Sequence, residues 1–269
     1  MWVFQFLVLR LAKGLDAVGS LVYRLSSVFH GFLPALLSPA QLQGLMREHY
    51  VRLYTEAFVA EVLADQQDGL QRWEKEVLDR NRMNSGRVLV LGSGWGREAI
   101  AIAQRGVSVV GVEANAIAVR CAHREAQAIG APAMFLQADL LKLPTDREWF
   151  DCVLLMQQMY SAIAGKSQRQ TWLATLRRVL RPNGTVILSF LPERPQVSRL
   201  RTARRCMSRM LARLPGANVA YQLGDDCVGG HFLHWFQDEA EVRSELVGAG
   251  ARIQELNWAR GFARLTYSS

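Results

Sequence analysis

The chain has 269 residues, of which half are hydrophobic and 21% are charged. This composition excludes a disordered chain, because it supplies ample apolar material for a core. The cysteines Cys121, Cys152, Cys206 and Cys227 lie far apart and form no CxxC pair, so neither a zinc ribbon nor a disulfide scaffold is indicated.

The formal net charge is +8. Residues 194–213 alone contain seven arginines and no acid, so this one segment accounts for nearly the whole excess of positive charge. The charge pattern therefore indicates a local basic segment rather than a general surface for polyanions.

The first 32 residues are rich in apolar side chains. Three charged residues between positions 10 and 16 interrupt them before they reach the length of a membrane span, and no basic residue precedes them as in a secretory signal. Apolar residues recur at steps of three and four from Leu7 to Phe32, which predicts an amphipathic helix. Two interpretations stay open: the helix packs on the main domain, or it lies on a membrane surface or over an apolar substrate. We expect a cytoplasmic protein, with membrane association as the alternative.

Turn signals divide the chain into two regions. Ser38 and Pro39 predict the start of a helix that extends to about residue 64, and a turn cluster at residues 84–86 follows a shorter helix. We therefore predict a helical region or cap over residues 1–85 and an α/β domain over residues 86–269.

From residue 87 onward, short β-rich apolar runs alternate with helical patterns. The predicted strands are Arg87–Leu91, Ser108–Val112, Met134–Gln137, Phe150–Leu155 and Thr185–Phe190, with a final pair at Ala251–Leu256 and Phe262–Tyr267. The predicted helices cover 96–105, 115–129, 168–180 and 237–248. Such alternation predicts a doubly wound, mostly parallel sheet that binds ligands beyond the carboxyl ends of its strands.

Ligand-binding features follow three consecutive strands of this predicted sheet. The first strand runs into a Gly-x-Gly-x-Gly loop, in which Arg97 stands where the dinucleotide fingerprint needs its third glycine. Glu113 ends the second strand, where a carboxylate can accept hydrogen bonds from ribose hydroxyls. Asp139 follows the third strand and can accept from an exocyclic amine. Together the three features predict a nucleoside site.

The segments VLVLGSGWG, VVGVEA, LQADLL, FDCVLLMQQMY and LRRVLRPNGTVILSF resemble, in this order, the motifs of class I S-adenosylmethionine-dependent methyltransferases. The resemblance is strong over residues 86–191 and looser over residues 232–267. It implies a seven-stranded sheet with an antiparallel last strand, S-adenosylmethionine as cofactor, and a glycine loop beside the cofactor's methionine part. The cofactor-binding residues that it implies are Gly92, Ser93, Gly94, Glu113, Ala114, Asp139, Leu140, Met156 and Gln157.

One position departs from the family pattern. Val90 stands where the family usually carries an acid, two residues before the first glycine. Its absence either weakens cofactor binding or is compensated by another residue. Tyr50, Tyr54 and Trp73 are candidates to close over the cofactor.

The chemistry of methyl transfer asks little of the protein beyond placement, because the cofactor's sulfonium already makes the methyl group electrophilic. A general base is needed only where the acceptor loses a proton, and Tyr160, His231 and His234 are the candidates, each with a purely structural role as its alternative. The sequence MQQMY after the fourth strand lacks the Asn/Asp-Pro-Pro-aromatic motif of enzymes that methylate planar amino groups. It also lacks carboxylates, so we expect no metal.

Residues 192–230 form a predicted helical insertion after the fifth strand and a candidate lid. Its apolar residues and its arginines fall on different faces of a helix: Leu200, Met207, Met210, Leu211 and Leu214 on one, and Arg201, Arg205, Arg209 and Arg213 on another. Such a helix can contact an anionic membrane or an acidic substrate. The alternative is a lid helix whose arginines face solvent.

The sequence thus predicts a methyltransferase that acts at O, N or C of a small, partly apolar molecule. An RNA or protein methyltransferase is the first alternative, although the insertion lacks aromatic residues for base stacking. A cofactor-binding protein without activity, acting as a regulator or at a membrane, is the second. The pattern does not indicate an oligomeric state.

Overall fold

The computed structural model describes residues 26, 28–55, 57–58, 69–80, 86–143, 149–194 and 199–267. A seven-stranded sheet in the order β3-β2-β1-β4-β5-β10-β9 forms its centre. Its strands are β1 (Arg87–Leu91), β2 (Ser108–Glu113), β3 (Ala133–Gln137), β4 (Phe150–Leu155), β5 (Leu180–Ser189), β9 (Ala251–Asn257) and β10 (Phe262–Tyr267).

The first five strands are parallel, and β10 runs antiparallel to both of its neighbours. β1 lies in the middle, where Leu89 pairs with Val110 on one side and with Val153 on the other. All three of these residues come from continuous apolar runs, as expected of strands that are covered on both faces. The predicted doubly wound fold is therefore confirmed.

Helices cover both faces of the sheet and leave the carboxyl ends of the parallel strands open. They are α4 (Arg97–Ala103), α5 (Ala116–Ala128), α6 (Lys166–Thr175) and α8 (Glu239–Gly248). The helix predicted to end at residue 180 is shorter, because β5 begins at Leu180 and bulges against β4 before regular pairing starts at Thr185.

Before the sheet, the described residues include the helices α1 (Leu33–Leu36), α2 (Pro39–Leu53) and α3 (Arg72–Arg80). A capping box starts α2, in which the Ser38 hydroxyl accepts from the Gln41 N–H and the Gln41 side chain accepts from the Ser38 N–H. The helix ends at Leu53, earlier than predicted. Most of the predicted N-terminal helix lies outside the described residues. Among the described helices, none is both long and apolar enough to cross a bilayer.

A second, three-stranded sheet of order β6-β8-β7 was not predicted from the sequence. It consists of β6 (Leu191–Pro192), β7 (Asp225–Val228) and β8 (His231–Phe236), and the helix α7 (Arg199–Leu211) connects β6 to β7. The burial of side chains alternates along β8, which is the period of a strand with one covered face.

Candidate functional site

A cavity of about 350 Å³ lies beyond the carboxyl ends of β1, β2 and β3, and α2 forms its other wall. Its volume is within the range of small-molecule sites, roughly 300–1,000 Å³. The cavity is lined by Gln43, Met46, Arg47, Tyr50, Val51, Tyr54, Gly92, Val112, Glu113, Ala114, Asn115, Gln137, Ala138, Asp139, Leu140, Met159, Ala162 and Ile163. It therefore lies at the strand edge where the sequence predicts a nucleoside site.

The loop after β1 requires glycine for its backbone conformation. Gly92 and Gly94 have φ angles of +66° and +53°, a region that residues with a Cβ rarely adopt. A Cβ on Gly92 would lie 3.2 Å from the Met159 methyl, whereas a Cβ on Gly94 would meet no atom within 4 Å. The loop thus presents bare backbone, with open space in front of Gly94.

The Glu113 carboxylate is held by two backbone donors. Its Oε2 accepts from the Gly94 N–H at 3.1 Å, and its Oε1 accepts from the Asn115 N–H at 2.8 Å. Burial raises the pKa of Glu113, and these N–H donors only partly offset the effect. Because a carboxylate has about four lone-pair sites, the backbone donors do not use all of its acceptor capacity, and some stays available for a ligand at the cavity wall.

Asp139 faces the same cavity from the end of β3. Its Oδ1 accepts from the Leu141 N–H at 2.9 Å, and its Oδ2 forms an ion pair with the Arg47 guanidinium at 2.5 Å. Arg47 belongs to α2, so this pair connects the helical region to the strand edge across the cavity. Leu140 lies beside Asp139 and gives the wall an apolar surface.

Two tyrosines lie over Glu113: Tyr50, in α2, and Tyr54, which caps the end of this helix. The rings of Tyr50 and Tyr54 are 5.8 Å apart, and Tyr54 lies 6.2 Å from Trp95 of the glycine loop. Burial, and secondarily the Glu113 charge, raise the pKa of both hydroxyls, so both tyrosines stay protonated at neutral pH. Trp73 does not line this cavity but stacks on Phe262.

Val90 is part of the apolar core, so β1 provides no acid at this position. Two buried acids from other elements lie near the loop instead. Arg97 makes ion pairs with Glu74 at 2.9 Å and with Glu98 at 2.5 Å. Glu98 also accepts from the Gln157 side chain at 3.1 Å, and burial raises the pKa of Glu98. A carboxylate is thus present beneath the loop, although it comes from α4 rather than from β1.

The cofactor residues implied by the resemblance divide into two groups. Five of them line the cavity: Gly92, Glu113, Ala114, Asp139 and Leu140. The other four do not line the cavity. The Gly94 N–H donates to Glu113, and the Gln157 side chain donates to Glu98. Met156 lies in the core, and Ser93 is buried with its hydroxyl unpaired among the described residues. Met159, which the sequence analysis did not select, reaches the cavity from beyond β4.

The structure gives Tyr160 and His234 surroundings that differ from those expected of catalytic bases. Neither lines the cavity, and both side chains are fully buried. The Tyr160 hydroxyl donates to Glu245 at 2.9 Å, and burial raises its pKa well above the usual value, which disfavours a phenolate. His234 Nδ1 lies 2.8 Å from Asp225. These contacts assign both residues to the internal packing of the protein.

His231 does not line the cavity either, but its ring contacts Tyr50, which does. Its ring centroid is 5.0 Å from that of Tyr50 and 4.2 Å from that of His49. Gly230, with φ +88°, packs against His49 so closely that a Cβ would lie 2.7 Å from its Nδ1. Burial, and then the neighbouring His49, lower the pKa of His231, so its imidazole is neutral at pH 7. Sequence spacing does not reveal this pair, because His49 is far away along the chain.

The cavity has the features that S-adenosylmethionine requires. Glu113 offers free acceptor positions for a ribose, Asp139 and Leu140 offer a polar and an apolar contact for a purine, and the loop at Gly94 leaves room for backbone approach. The residues present therefore fit the cofactor.

Residues 88–184 match the family model described as a methyltransferase domain. None of the curated proteins matches the chain. Among solved structures, 1,6-didemethyltoxoflavin-N1-methyltransferase from Burkholderia thailandensis is similar, with a TM-score of 0.57 and 18% identity over 86% of this chain and 88% of that one.

Two further methyltransferase structures have the same fold. One is a SAM-dependent methyltransferase from Methanosarcina mazei, with a TM-score of 0.52 and 20% identity, covering 70% of this chain and 94% of that one. The other is the CcbJ methyltransferase from Streptomyces caelestis, with a TM-score of 0.51 and 16% identity, covering 68% and 84%. The sheet order and the strand-edge cavity agree with these findings: residues 88–184 match a methyltransferase domain, and the chain has the fold of class I S-adenosylmethionine-dependent methyltransferases.

Proposed function

We propose that this enzyme transfers the methyl group of S-adenosylmethionine to a small, partly apolar molecule. The observation that carries the proposal is the cavity itself, in which two strand-end acids face a wall of tyrosines and apolar side chains from α2. A helix over the site leaves room for a small acceptor but restricts the approach of a folded macromolecule.

In this proposal the cofactor lies along the strand edge. Glu113 accepts from the ribose hydroxyls, Asp139 accepts from the adenine amine, and Leu140 contacts the ring. The backbone at Gly92 and Gly94 approaches the methionine part of the cofactor. Glu98 supplies the negative charge that the family usually carries at the position of Val90. The cofactor provides the electrophilic methyl group, and the protein fixes the geometry of the displacement, a contribution worth roughly 7–11 kcal/mol at most.

His231 is the proton acceptor in this proposal, for acceptor molecules that lose a proton on methylation. Its neutral imidazole can take a proton, and its ring contacts Tyr50, which lines the cavity. His49 favours the neutral form of His231 and fixes its ring. Tyr160 and His234 have no catalytic part in this proposal, because their buried contacts leave no path to the cavity.

The solved structures support a small acceptor to a limited extent. The Burkholderia thailandensis enzyme was crystallised with 1,6-didemethyltoxoflavin and S-adenosylhomocysteine, which are both small molecules. The alternative of an RNA substrate loses support from the arginine segment, because Arg201, Arg204 and Arg205 pair with acids of this chain. Fewer cations are thus available for phosphates than the sequence suggests.

The proposal is tested by incubating the purified protein and a metabolite extract with isotopically labelled S-adenosylmethionine. Mass spectrometry should find the label in a small product, and calorimetry should show binding of the cofactor and of its demethylated form. Wild type should gain rate as the pH rises below 6.5, the ordinary pKa of histidine, because the pKa of His231 is lowered; the variant His231→Asn should bind the cofactor normally but lose this rise. Label found only in RNA or protein would refute the proposal.

A further inference from the structure

The helix α7 turns three of its arginines, Arg201, Arg204 and Arg205, toward the protein. Arg204 and Arg201 donate to the same carboxylate oxygen of Asp226, at 2.5 Å and 3.3 Å, and Arg205 pairs with Glu193. Both acids are almost fully buried. The ion pairs therefore fix the rotation of α7, and of the four arginines predicted to share one face, Arg201 and Arg205 face the protein whereas Arg209 and Arg213 face solvent.

The opposite side of α7 exposes apolar residues to solvent. Leu200 and Met210 are 84% and 70% exposed, and Met207 and Leu214 are each about half exposed. A surface helix of a globular protein normally buries such a stripe against the core. A group of large exposed apolar side chains on one element indicates a site of interaction.

This exposed face continues toward the N-terminal region. Arg204 packs against Gly31, too closely for any side chain there, and the buried Asn218 side chain donates to the Pro34 carbonyl at 2.8 Å. Next to these contacts in the chain, Phe29 and Val219 are 71% and 93% exposed. Phe29 is also one of the last members of the apolar stripe that the sequence predicts for the N-terminal helix.

The charge around this face is of one sign. Residues 194–224 contain no aspartate or glutamate. Arg209 and Arg213 are exposed, and neither forms an ion pair with any residue that the structure describes. An apolar stripe flanked by unpaired arginines, without acids, complements an anionic lipid surface, in which acyl chains lie beneath phosphates.

We propose that the outward face of α7 docks this enzyme on an anionic membrane surface. Leu200, Met207, Met210 and Leu214 enter the boundary between headgroups and acyl chains, while Arg209 and Arg213 contact lipid phosphates. The docking goes beyond methyl transfer and does not depend on it, since no residue of this face lines the cavity.

The proposal is tested with the full chain and vesicles of phosphatidylcholine, with and without phosphatidylglycerol. Wild type should co-sediment with the anionic vesicles, and binding should weaken as salt is added. The double variant Met210→Ser/Leu214→Ser should bind at least tenfold more weakly, and Arg209→Glu/Arg213→Glu should lose its preference for anionic vesicles. The matched control Met134→Ser/Val247→Ser removes exposed apolar side chains elsewhere and should bind as wild type does.

Cys206 provides a local probe of the same contact. It is exposed on α7, whereas Cys121, Cys152 and Cys227 are buried, so a thiol-reactive fluorophore can be placed on it selectively. Its emission should shift to the blue when anionic vesicles are added, and unchanged circular dichroism shows that each variant is folded.

Three outcomes would overturn the proposal. The first is the absence of vesicle binding by wild type. The second is vesicle binding that the α7 variants leave unchanged, combined with probe emission that does not shift. This result would assign the contact to another segment, such as residues 1–25. The third is a dimer in solution that Met210→Ser/Leu214→Ser dissociates, which would show that a second copy covers the face.

Discussion

Two neighbouring regions of the molecule place their charges in opposite ways. In the strands over residues 87–155, apolar side chains fill the interior and acids stand at the strand ends, facing a cavity. In the region over residues 193–245 and the helix α6 that packs on it, charged side chains are inside: Arg169, Glu193, Arg205, Asp225, Asp226, His234 and Glu245 are buried or nearly so. There the apolar face of a helix points outward instead.

The difference shows what orients an element in each region. Burial of apolar surface fixes the strands, and this force leaves a clear signal in the sequence, the short continuous apolar runs. Paired charges fix α7 and join α6 to α8. A pair such as Arg204 with Asp226 leaves no pattern in the sequence, because its two members lie on different elements. Removing one member of a buried pair is expected to cost more than it would at the surface.

The largest effect is expected at Glu245, which accepts from Arg169 through both oxygens, at 2.6 Å and 3.0 Å, in a fully buried setting. Glu245→Ala leaves the Arg169 guanidinium without its counter-charge and should lower the free energy of unfolding by about 3–5 kcal/mol. Urea denaturation measures the change. The control Glu239→Ala breaks an exposed pair with Arg243 on the same helix and should cost less than about 1 kcal/mol. Equal midpoints for the two variants would show that the buried pair does not hold this region together.

The second prediction concerns the cavity. Glu113→Ala should weaken S-adenosylmethionine binding by about 10- to 150-fold, because a hydrogen bond to a charged group is worth roughly 1.5–3 kcal/mol. Calorimetry of the folded variant measures the loss. Glu48→Ala, which removes an exposed acid of α2, is the control and should leave the affinity unchanged. An unaltered affinity in Glu113→Ala would remove this residue from the proposed ribose contact.

The sequence predicted the sheet and the positions of Glu113 and Asp139 because both follow from local patterns. Strand ends of a parallel sheet meet at one edge, so acids that follow strands come together whatever the loops do. The same reasoning could not find Arg47 or His49, which α2 brings to the site from outside the sheet. It also could not orient α7, because helical spacing shows two faces without showing which of them faces the protein.

The alternation HFLHWF in β8 is a signal that the sequence analysis could have used. Phe232, His234 and Phe236 share the buried side, so His234 lies among core residues rather than in a lid. A histidine in step with two buried phenylalanines is more consistent with an internal hydrogen bond than with a base that meets substrate.

The third prediction uses the charge of this histidine. Burial and the nearby Arg169 lower the pKa of His234, but the hydrogen bond to Asp225 and the close Glu241 carboxylate raise it by more, so the net shift is upward. The folded state then binds the proton more tightly than the unfolded state does. The stability that this proton contributes is fully present below pH 6.5 and is lost as the pH rises through the folded pKa. Unfolding of wild type and His234→Gln should therefore differ most at low pH, and a difference that grows with pH would reverse this assignment.

The smallest effect is expected at the cavity, at the pair of Arg47 with Asp139. Arg47 is 60% exposed, so the pair itself is worth only about 0–1 kcal/mol. The Leu141 N–H donates to one Asp139 oxygen, and Arg47 occupies the other. Arg47→Ala should therefore free this second oxygen for the adenine amine. We expect S-adenosylmethionine binding to tighten by up to about fivefold. Calorimetry at low and high salt measures the change, which should fade as screening weakens the pair in wild type. Arg52→Ala removes an exposed arginine from the same helix and should have no effect. Weaker binding by Arg47→Ala would mean instead that α2 contributes Arg47 as a contact to the cofactor, so that the helical region is part of the site rather than a competitor for it.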